Sequence, residues 1–346
     1  MSLWRRPKAT PSTMSKALLD GVDAVFADLD GVVYRGPHAL PYAVESINAI
    51  DPSIRVGYIT NNASRTDISV AAHLNELGLR VDPADVVTSP QAAMLVLATL
   101  VPAGSTVLVV GGDGLSDEVS KAGFIVTRSA KDRPAAVVQG FSPEVGWVHL
   151  AEATYALSGY DAQPDVHWVA TNTDWTIPQE RGIAPGNGTL VSAVHTAVGR
   201  LPIVAGKPES AIFEVAVRRF AATSALMIGD RLDTDTLGAN RAGIPSVHVM
   251  TGIDQAKQLL AARVEERPTY ILEDLRGLHQ PYPATVVENV DGATLTTVGN
   301  ATVRLAGNVI TVDNGSGIDL LRAGCATIWN TGLAIYALDV APELYS

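Results

Sequence analysis

Short apolar runs that end in polar or glycine-rich turns alternate with helical stretches along most of this chain, and that alternation restricts the fold more than any other feature. Residues 22–29, 55–60, 106–110, 135–138, 168–170, 203–204, 225–228 and 246–249 read as strands. Residues 43–50, 67–77, 190–198 and 210–220 read as helices among them. Such a pattern predicts parallel sheet covered by helices. After Tyr282 the texture changes: 285–289, 294–298, 301–305 and 309–312 read as short antiparallel strands with Gly and Asn turns, leading into a helix over 317–326.

A chain of 346 residues exceeds one ordinary core, so two or three domains are expected. Hydrophobic residues at 47% and charged residues at 18% are globular proportions. The formal net charge of −11, with no basic patch, argues against a nucleic-acid partner. It would also repel an anionic substrate at long range, so a site for one needs local positive charge from a metal, a lysine or backbone N–H groups. The single cysteine, Cys325, excludes an intrachain disulfide and fits a reducing compartment. No run approaches the roughly 18 apolar residues of a membrane span. These features together point to a cytoplasmic protein.

The chemistry-bearing residues sit at strand ends. Phe26-Ala27-Asp28-Leu29-Asp30-Gly31-Val32-Val33-Tyr34 is an apolar strand running into Asp-x-Asp-Gly. Two carboxylates placed so splay in the loop and can face one point, at the strand end where open α/β sheets bind ligands. Alone, the segment also fits a turn whose aspartates cap backbone groups. A second strand ends in Thr60-Asn61-Asn62, a hydroxyl and amides suited to phosphate oxygens and equally to a helix cap. Lys207, in Gly206-Lys207-Pro208, is either a point charge for a phosphate or a solvated turn lysine. Leu226-Met227-Ile228-Gly229-Asp230-Arg231-Leu232-Asp233-Thr234-Asp235 puts an acidic cluster past another buried strand, and hard carboxylate oxygens suit Mg2+. Asp/Asp, Thr, Lys and Asp/Asp at four strand ends, in that order, are jointly far more specific than any one.

On these motifs the sequence resembles the haloacid dehalogenase-like phosphatase superfamily over about residues 22–279. The long insert between Thr60 and Lys207, with Ala170-Thr171-Asn172-Thr173-Asp174-Trp175 and Pro185-Gly186-Asn187-Gly188, resembles the large α/β cap of its class IIA. The nearest resemblance is to phosphoglycolate, glycerol-3-phosphate and pyridoxal phosphate phosphatases. The resemblance implies an α/β fold: a Rossmann-like parallel-sheet core, an inserted α/β cap domain and a small C-terminal α+β appendix. The expected division is a flexible tail over 1–18, a catalytic core over 19–80 and 206–280, a cap over 81–205, and a C-terminal domain over 281–346 entered through Pro281 and Pro283.

The implied activity is Mg2+-dependent hydrolysis of a small phosphorylated metabolite through an aspartyl-phosphate on Asp28, with Asp30 as the acid and base. Glycerol 3-phosphate is the first candidate substrate, and 2-phosphoglycolate and pyridoxal phosphate are the alternatives. The resemblance assigns the phosphoryl oxygens to Thr60, Asn61 and Lys207. It assigns Mg2+ to the side chains of Asp28 and Asp230 and the carbonyl of Asp30, with Asp235 and Asp233 holding metal-bound waters. Asn172, Asp174 and Trp175 of the cap are expected at the rest of the substrate, and relatives of this class pair as homodimers through the cap.

Other readings carry less. Val110-Gly111-Gly112-Asp113-Gly114 has Asp117 where a dinucleotide loop needs its third glycine. His195 lies in a helical apolar stretch and reads as structural. A phospho-receiver domain shares the residue types, but its metal-binding acidic pair and its acceptor stand on different strands, whereas Asp28 and Asp30 share one loop. A phosphomutase is nearer, and release of free phosphate separates it from a phosphatase.

Overall fold

The computed structural model describes residues 16–159, 166–179 and 181–345. The chain divides into two compact units, Met1–Arg55 with Thr223–Ser346, and Val56–Ala222. Most of the tail expected over 1–18 lies outside the described residues. Its last part, Lys16–Ala17, is a strand, and Leu18 is buried.

In the first unit the strands Tyr270–Leu272, Ser246–Val249, Ala225–Gly229 and Ala24–Ala27 lie side by side in that order, all parallel. The last three are buried along their whole length. Burial on both faces is why the sequence shows unbroken apolar runs there and no alternation. The first strand is shorter than 22–29 because the chain turns at once: Val33 and Tyr34 both donate their N–H groups to Leu29 O, at 2.9 and 3.1 Å.

The C-terminal segment is a meander, Thr285–Val290, Ala293–Val298, Ala301–Ala306 and Val309–Asn314, antiparallel throughout. Asp339–Val340 adds a parallel fifth strand that the sequence did not reveal. The helix Gly317–Thr331 runs five residues beyond its expected end and stops at Gly332, whose φ of 67° ends it in the left-handed conformation. This small α+β layer packs on the rest of its unit. Val303, Ile310, Leu321 and Ile328 share one apolar core with Leu232, Leu259, Leu260 and Ile271. Each such side chain, fully buried, contributes about 1.5–3 kcal/mol. The expected linker is itself built in: Pro281–Tyr282 is a strand antiparallel to Lys16–Ala17, and Tyr282 Oη accepts the Ile271 N–H at 3.1 Å.

The second unit centres on five parallel strands in the order Ile203–Val204, His167–Ala170, Ala136–Gln139, Thr106–Val110, Ile125–Thr127. The helices Trp147–Ser158 and Asn187–Val198 bury Leu157, Val191 and Val194 against Leu108, Val137 and Trp168 of one sheet face. Thr176–Gln179 and Gly182–Pro185 form an antiparallel hairpin. Val86–Thr88 pairs parallel with residues 58–60 and leads into the helix Ser89–Leu100. That helix starts on a capping box: the Thr88 hydroxyl accepts the Gln91 N–H, and the Gln91 side chain accepts the Thr88 N–H.

Candidate active site

Register builds the first constellation. Ala27 lies opposite Ile228 in the paired strands Ala24–Ala27 and Ala225–Gly229, and Asp28 N–H donates to Ile228 O at 2.8 Å. Asp28 and Asp230 therefore leave adjacent strands at almost the same level. Residues Leu232–Thr236 form one π-helical turn, a geometry frequent at functional sites, which carries Asp235 back towards the strand ends. There the Asp235 carboxylate accepts the Arg231 N–H at 3.1 Å, and a Cβ on Gly229 would collide with it. Asp28, Asp230 and Asp235 are all buried and each offers a carboxylate oxygen within 4.8 Å of the others.

Asp230 is held from a direction the sequence reading did not identify. Its Oδ2 accepts the Ile253 N–H at 2.7 Å, and Gly252 leaves the carboxylate the space a Cβ would fill. The loop of Thr251, Gly252, Ile253 and Asp254 follows the Ser246–Val249 strand, so its signal was available as one more strand end. Thr251 also donates its hydroxyl to Gly31 O at 2.6 Å, tying this loop to the Asp28 turn. Asp254 accepts the Leu232 N–H at 2.7 Å, and burial holds its carboxyl above the usual range. His248 is wholly buried, donates its Nε2–H to Asp254 O at 2.9 Å, and is pushed below the ordinary imidazole value by desolvation.

Three buried carboxylates repel one another strongly where water is excluded, and a cation offsets that. The donor set is all oxygen and few in number, which fits Mg2+, an ion that keeps several of its waters. The residues present therefore fit the ion. Asp30 is exposed at the rim of its loop, with Gly31 N–H on Tyr34 O at 2.9 Å. Asp233 does not join the three: its exposed carboxylate takes two hydrogen bonds from Arg231, at 3.0 and 2.8 Å.

The second constellation lies within Val56–Ala222. Asn61 Oδ1 accepts the Lys207 N–H at 2.8 Å, while its Nδ2 donates to Lys207 O at 3.1 Å and to both Asp174 oxygens at 3.2 Å. These partners fix which way the amide faces, because the oxygen meets a donor and the nitrogen meets only acceptors. Asn61 O in turn accepts from Asn172 Nδ2 and from Ser89 Oγ, each at 2.7 Å. Asn187 Nδ2 holds Asn172 O at 2.7 Å. Lys207 is buried, its Nζ donating to Ile59 O at 3.5 Å, and the buried Thr60 hydroxyl accepts the Asn62 N–H at 3.1 Å. Trp175 is exposed, with its carbonyl accepting from Thr189 Oγ1 at 2.8 Å.

Five expected residues, Asn61, Asn172, Asp174, Lys207 and Thr60, thus sit at or just past the ends of three strands, 55–60, 167–170 and 203–204, which the hydrogen bonds of Asn61 join. Ser89 was missed, although the Thr88-Ser89-Pro90-Gln91 helix start announced it, and Asn187 was quoted within Pro185-Gly186-Asn187-Gly188 but given no role. His195 is structural, its Nδ1 bonded to Arg200 O at 2.9 Å. Cys325 is buried in the apolar core, which pushes its thiol far up.

Residues 25–125 match the haloacid dehalogenase-like hydrolase family and residues 204–278 a HAD-hydrolase-like family. With the relatives below, these matches place the chain in the haloacid dehalogenase-like hydrolases, and within them it is a phosphoric monoester hydrolase. The D-glycerol 3-phosphate phosphatase of Mycobacterium tuberculosis H37Rv is 42% identical over 321 residues, which is 92% of this chain and 89% of the relative. The acid sugar phosphatase of Staphylococcus haemolyticus is 32% identical over 251 residues, 72% of this chain and 92% of the relative. The crystal structure of the M. tuberculosis glycerol phosphate phosphatase in complex with magnesium matches with a TM-score of 0.81 at 41% identity, covering 92% of this chain and 93% of that one. Among the described residues no helix is long and apolar enough to cross a membrane.

Proposed function

We propose that this phosphatase hydrolyses glycerol 3-phosphate to glycerol and phosphate, with Mg2+ held at the Asp28, Asp230 and Asp235 cluster. The single observation that carries the reading is the mutual approach of those three buried carboxylates within 4.8 Å. The glycerol 3-phosphate phosphatase relative at 42% identity supports the substrate, and 2-phosphoglycolate is the second candidate.

Bound there, Mg2+ would neutralise part of the charge on the phosphoryl group. Asp28 is assigned as nucleophile: its carboxylate oxygen forms a bond to phosphorus as the ester P–O bond breaks, leaving an acyl phosphate on Asp28. Asp30, exposed on its loop, gives a proton to the departing alkoxide. It then accepts a proton from the water that attacks the same phosphorus and releases free Asp28. Thr60, the Asn61 amide and Lys207 are assigned the equatorial oxygens, where transition-state charge is spread. Asp235 would support the ion from its position against Arg231 N–H, and Asp174 with the exposed Trp175 is assigned the glycerol end.

Residues 81–205 act in this reading as the cap and 19–80 with 206–280 as the core. A cap-to-cap homodimer agrees with the exposed Trp147, Val148 and Tyr155 on one helix, and a cytoplasmic location with the single buried cysteine. The test is kcat/KM across glycerol 3-phosphate, 2-phosphoglycolate, pyridoxal phosphate and a sugar phosphate, in Mg2+ and in EDTA. Glycerol 3-phosphate should lead and EDTA should abolish turnover. A preference of tenfold or more for another ester replaces the substrate, and full activity in EDTA removes the metal.

A further inference from the structure

The second unit carries a cleft lined by none of the residues assigned above. Its volume is about 590 Å³, within the range of metabolite sites. Its position follows from topology. Thr106–Val110 and Ala136–Gln139 are neighbours in the parallel sheet. After the first, the helix Asp113–Lys121 leads to the edge strand Ile125–Thr127. After the second, the helix Trp147–Ser158 leads the other way, to His167–Ala170. Where two such connections diverge, an open parallel sheet has its crevice, just beyond the carboxyl ends. Residues 111–114 and 142–145, which follow these two strands, line the cleft, joined by residues 64–66, Ser69, Arg128 and His149. Strand order and cavity are independent observations, and they coincide.

The lining indicates the ligand. Arg128 donates from Nη1 to Val109 O and Gly111 O, at 2.8 and 2.7 Å, and from Nη2 to Ser116 Oγ at 2.8 Å. The guanidinium is thereby fixed at the cleft by neutral acceptors alone, with its charge unmatched. Arg65 makes no side-chain hydrogen bond or ion pair among the described residues, so the cleft holds two guanidinium charges outside any salt bridge. Guanidinium groups suit phosphate oxygens bidentately. Asp113 and Glu144 line the same cleft and are exposed. They leave room for one anionic group and can accept hydroxyls, and they oppose a second anion. Gly112 opens the wall: a Cβ there would come only to ordinary contact, 3.4 Å, with Ser142.

We infer that this cleft binds a small hydroxylated metabolite carrying a single phosphate, held by Arg65 and Arg128, at a site separate from the hydrolytic one. The probe is inorganic phosphate, titrated calorimetrically in Mg2+ into the full chain. Wild type is expected to show two classes of phosphate site. Gly112→Asp, whose φ of −81° any residue adopts, and Arg65→Ala should each weaken one class tenfold or more. Neither substitution should alter the thermal melt, whereas Lys207→Ala should remove the other class. A single class in wild type that Lys207→Ala eliminates would overturn the inference, as would survival of both classes in Gly112→Asp. Malonate binding as tightly as phosphate to the Gly112-sensitive class would overturn the phosphate assignment.

Discussion

Asn61 grips the main chain of Lys207 on both sides, accepting its N–H at 2.8 Å and donating to its C=O at 3.1 Å, although the two residues are 146 positions apart. The same amide reaches the Asp174 carboxylate at 3.2 Å. One side chain therefore sets the backbone that carries the lysine and anchors the loop assigned to the substrate. Replacing it by alanine leaves a buried N–H and C=O without their partner, at about 1–3 kcal/mol each.

Asn61→Ala is expected to lower kcat by ten- to a hundredfold while the chain stays folded. Asn61→Asp should be worse, because a carboxylate would face Lys207 O and Asp174. Steady-state kinetics beside a thermal melt check both, and wild-type kcat in Asn61→Ala would show that Lys207 needs no such grip.

Gly252 has no side chain because Asp230 occupies that space. Gly252→Ala forces the Asp230 carboxylate away from its 2.7 Å bond to Ile253 N–H and out of the three-carboxylate cluster. Activity should fall a hundredfold or more, with a raised Mg2+ requirement. A Mg2+ titration of kcat reads both effects.

Ile328 joins the C-terminal helix to the core shared with Leu259, Leu260 and Ile271. Ile328→Ala should destabilise the first unit by about 2–5 kcal/mol, the range for emptying a buried aliphatic site. Deleting 281–346 uncovers that whole face and should yield aggregated protein. Chemical denaturation and a solubility measurement test the pair, and a soluble, active 1–280 fragment would show an independent appendix.

Asp23 supplies the acid-sensitive bond of the same unit. Although desolvation alone would raise its pKa, the Thr223 hydroxyl and the Ser224 and Thr223 N–H groups bring it below the usual aspartate value. A folded pKa held low gives stability that is present above the unfolded value, near 3.8, and is lost as pH falls through the folded one. Asp23→Asn should therefore lower Tm at pH 7, and the difference from wild type should shrink towards zero below pH 3.

Much of this was legible in the sequence because it is local. Ala24–Ala27, Ala225–Gly229 and Thr106–Val110 are buried on both faces and read as plain apolar runs; Asp28 and Asp230 lie one step past two of them, Thr60 closes the strand 55–60, and Lys207 follows Ile203–Val204 by three residues. The three-residue strands Val86–Thr88, Ile125–Thr127 and Tyr270–Leu272 are too short to show a period. The helix Trp147–Ser158 opens on exposed Trp147 and Val148, which blurs its apolar face. Asn61 stands out in the sequence as an amide following the strand 55–60, yet its side-chain grip on Lys207 depends on a contact across 146 positions that no local pattern encodes. The shared C-terminal core was hidden for the same reason.

The central claim is that Asp28 is the nucleophile within a carboxylate cluster that holds Mg2+. The direct measurement is kcat for glycerol 3-phosphate in Asp28→Asn, on protein freed of other phosphatases, paired with Tm in EDTA and in Mg2+. The expected result is loss of turnover by three orders of magnitude or more, with a Tm in EDTA at or above wild type, since one buried repulsion is relieved, and a smaller rise on adding Mg2+. Turnover within tenfold of wild type, with an undiminished Mg2+ shift, would contradict it.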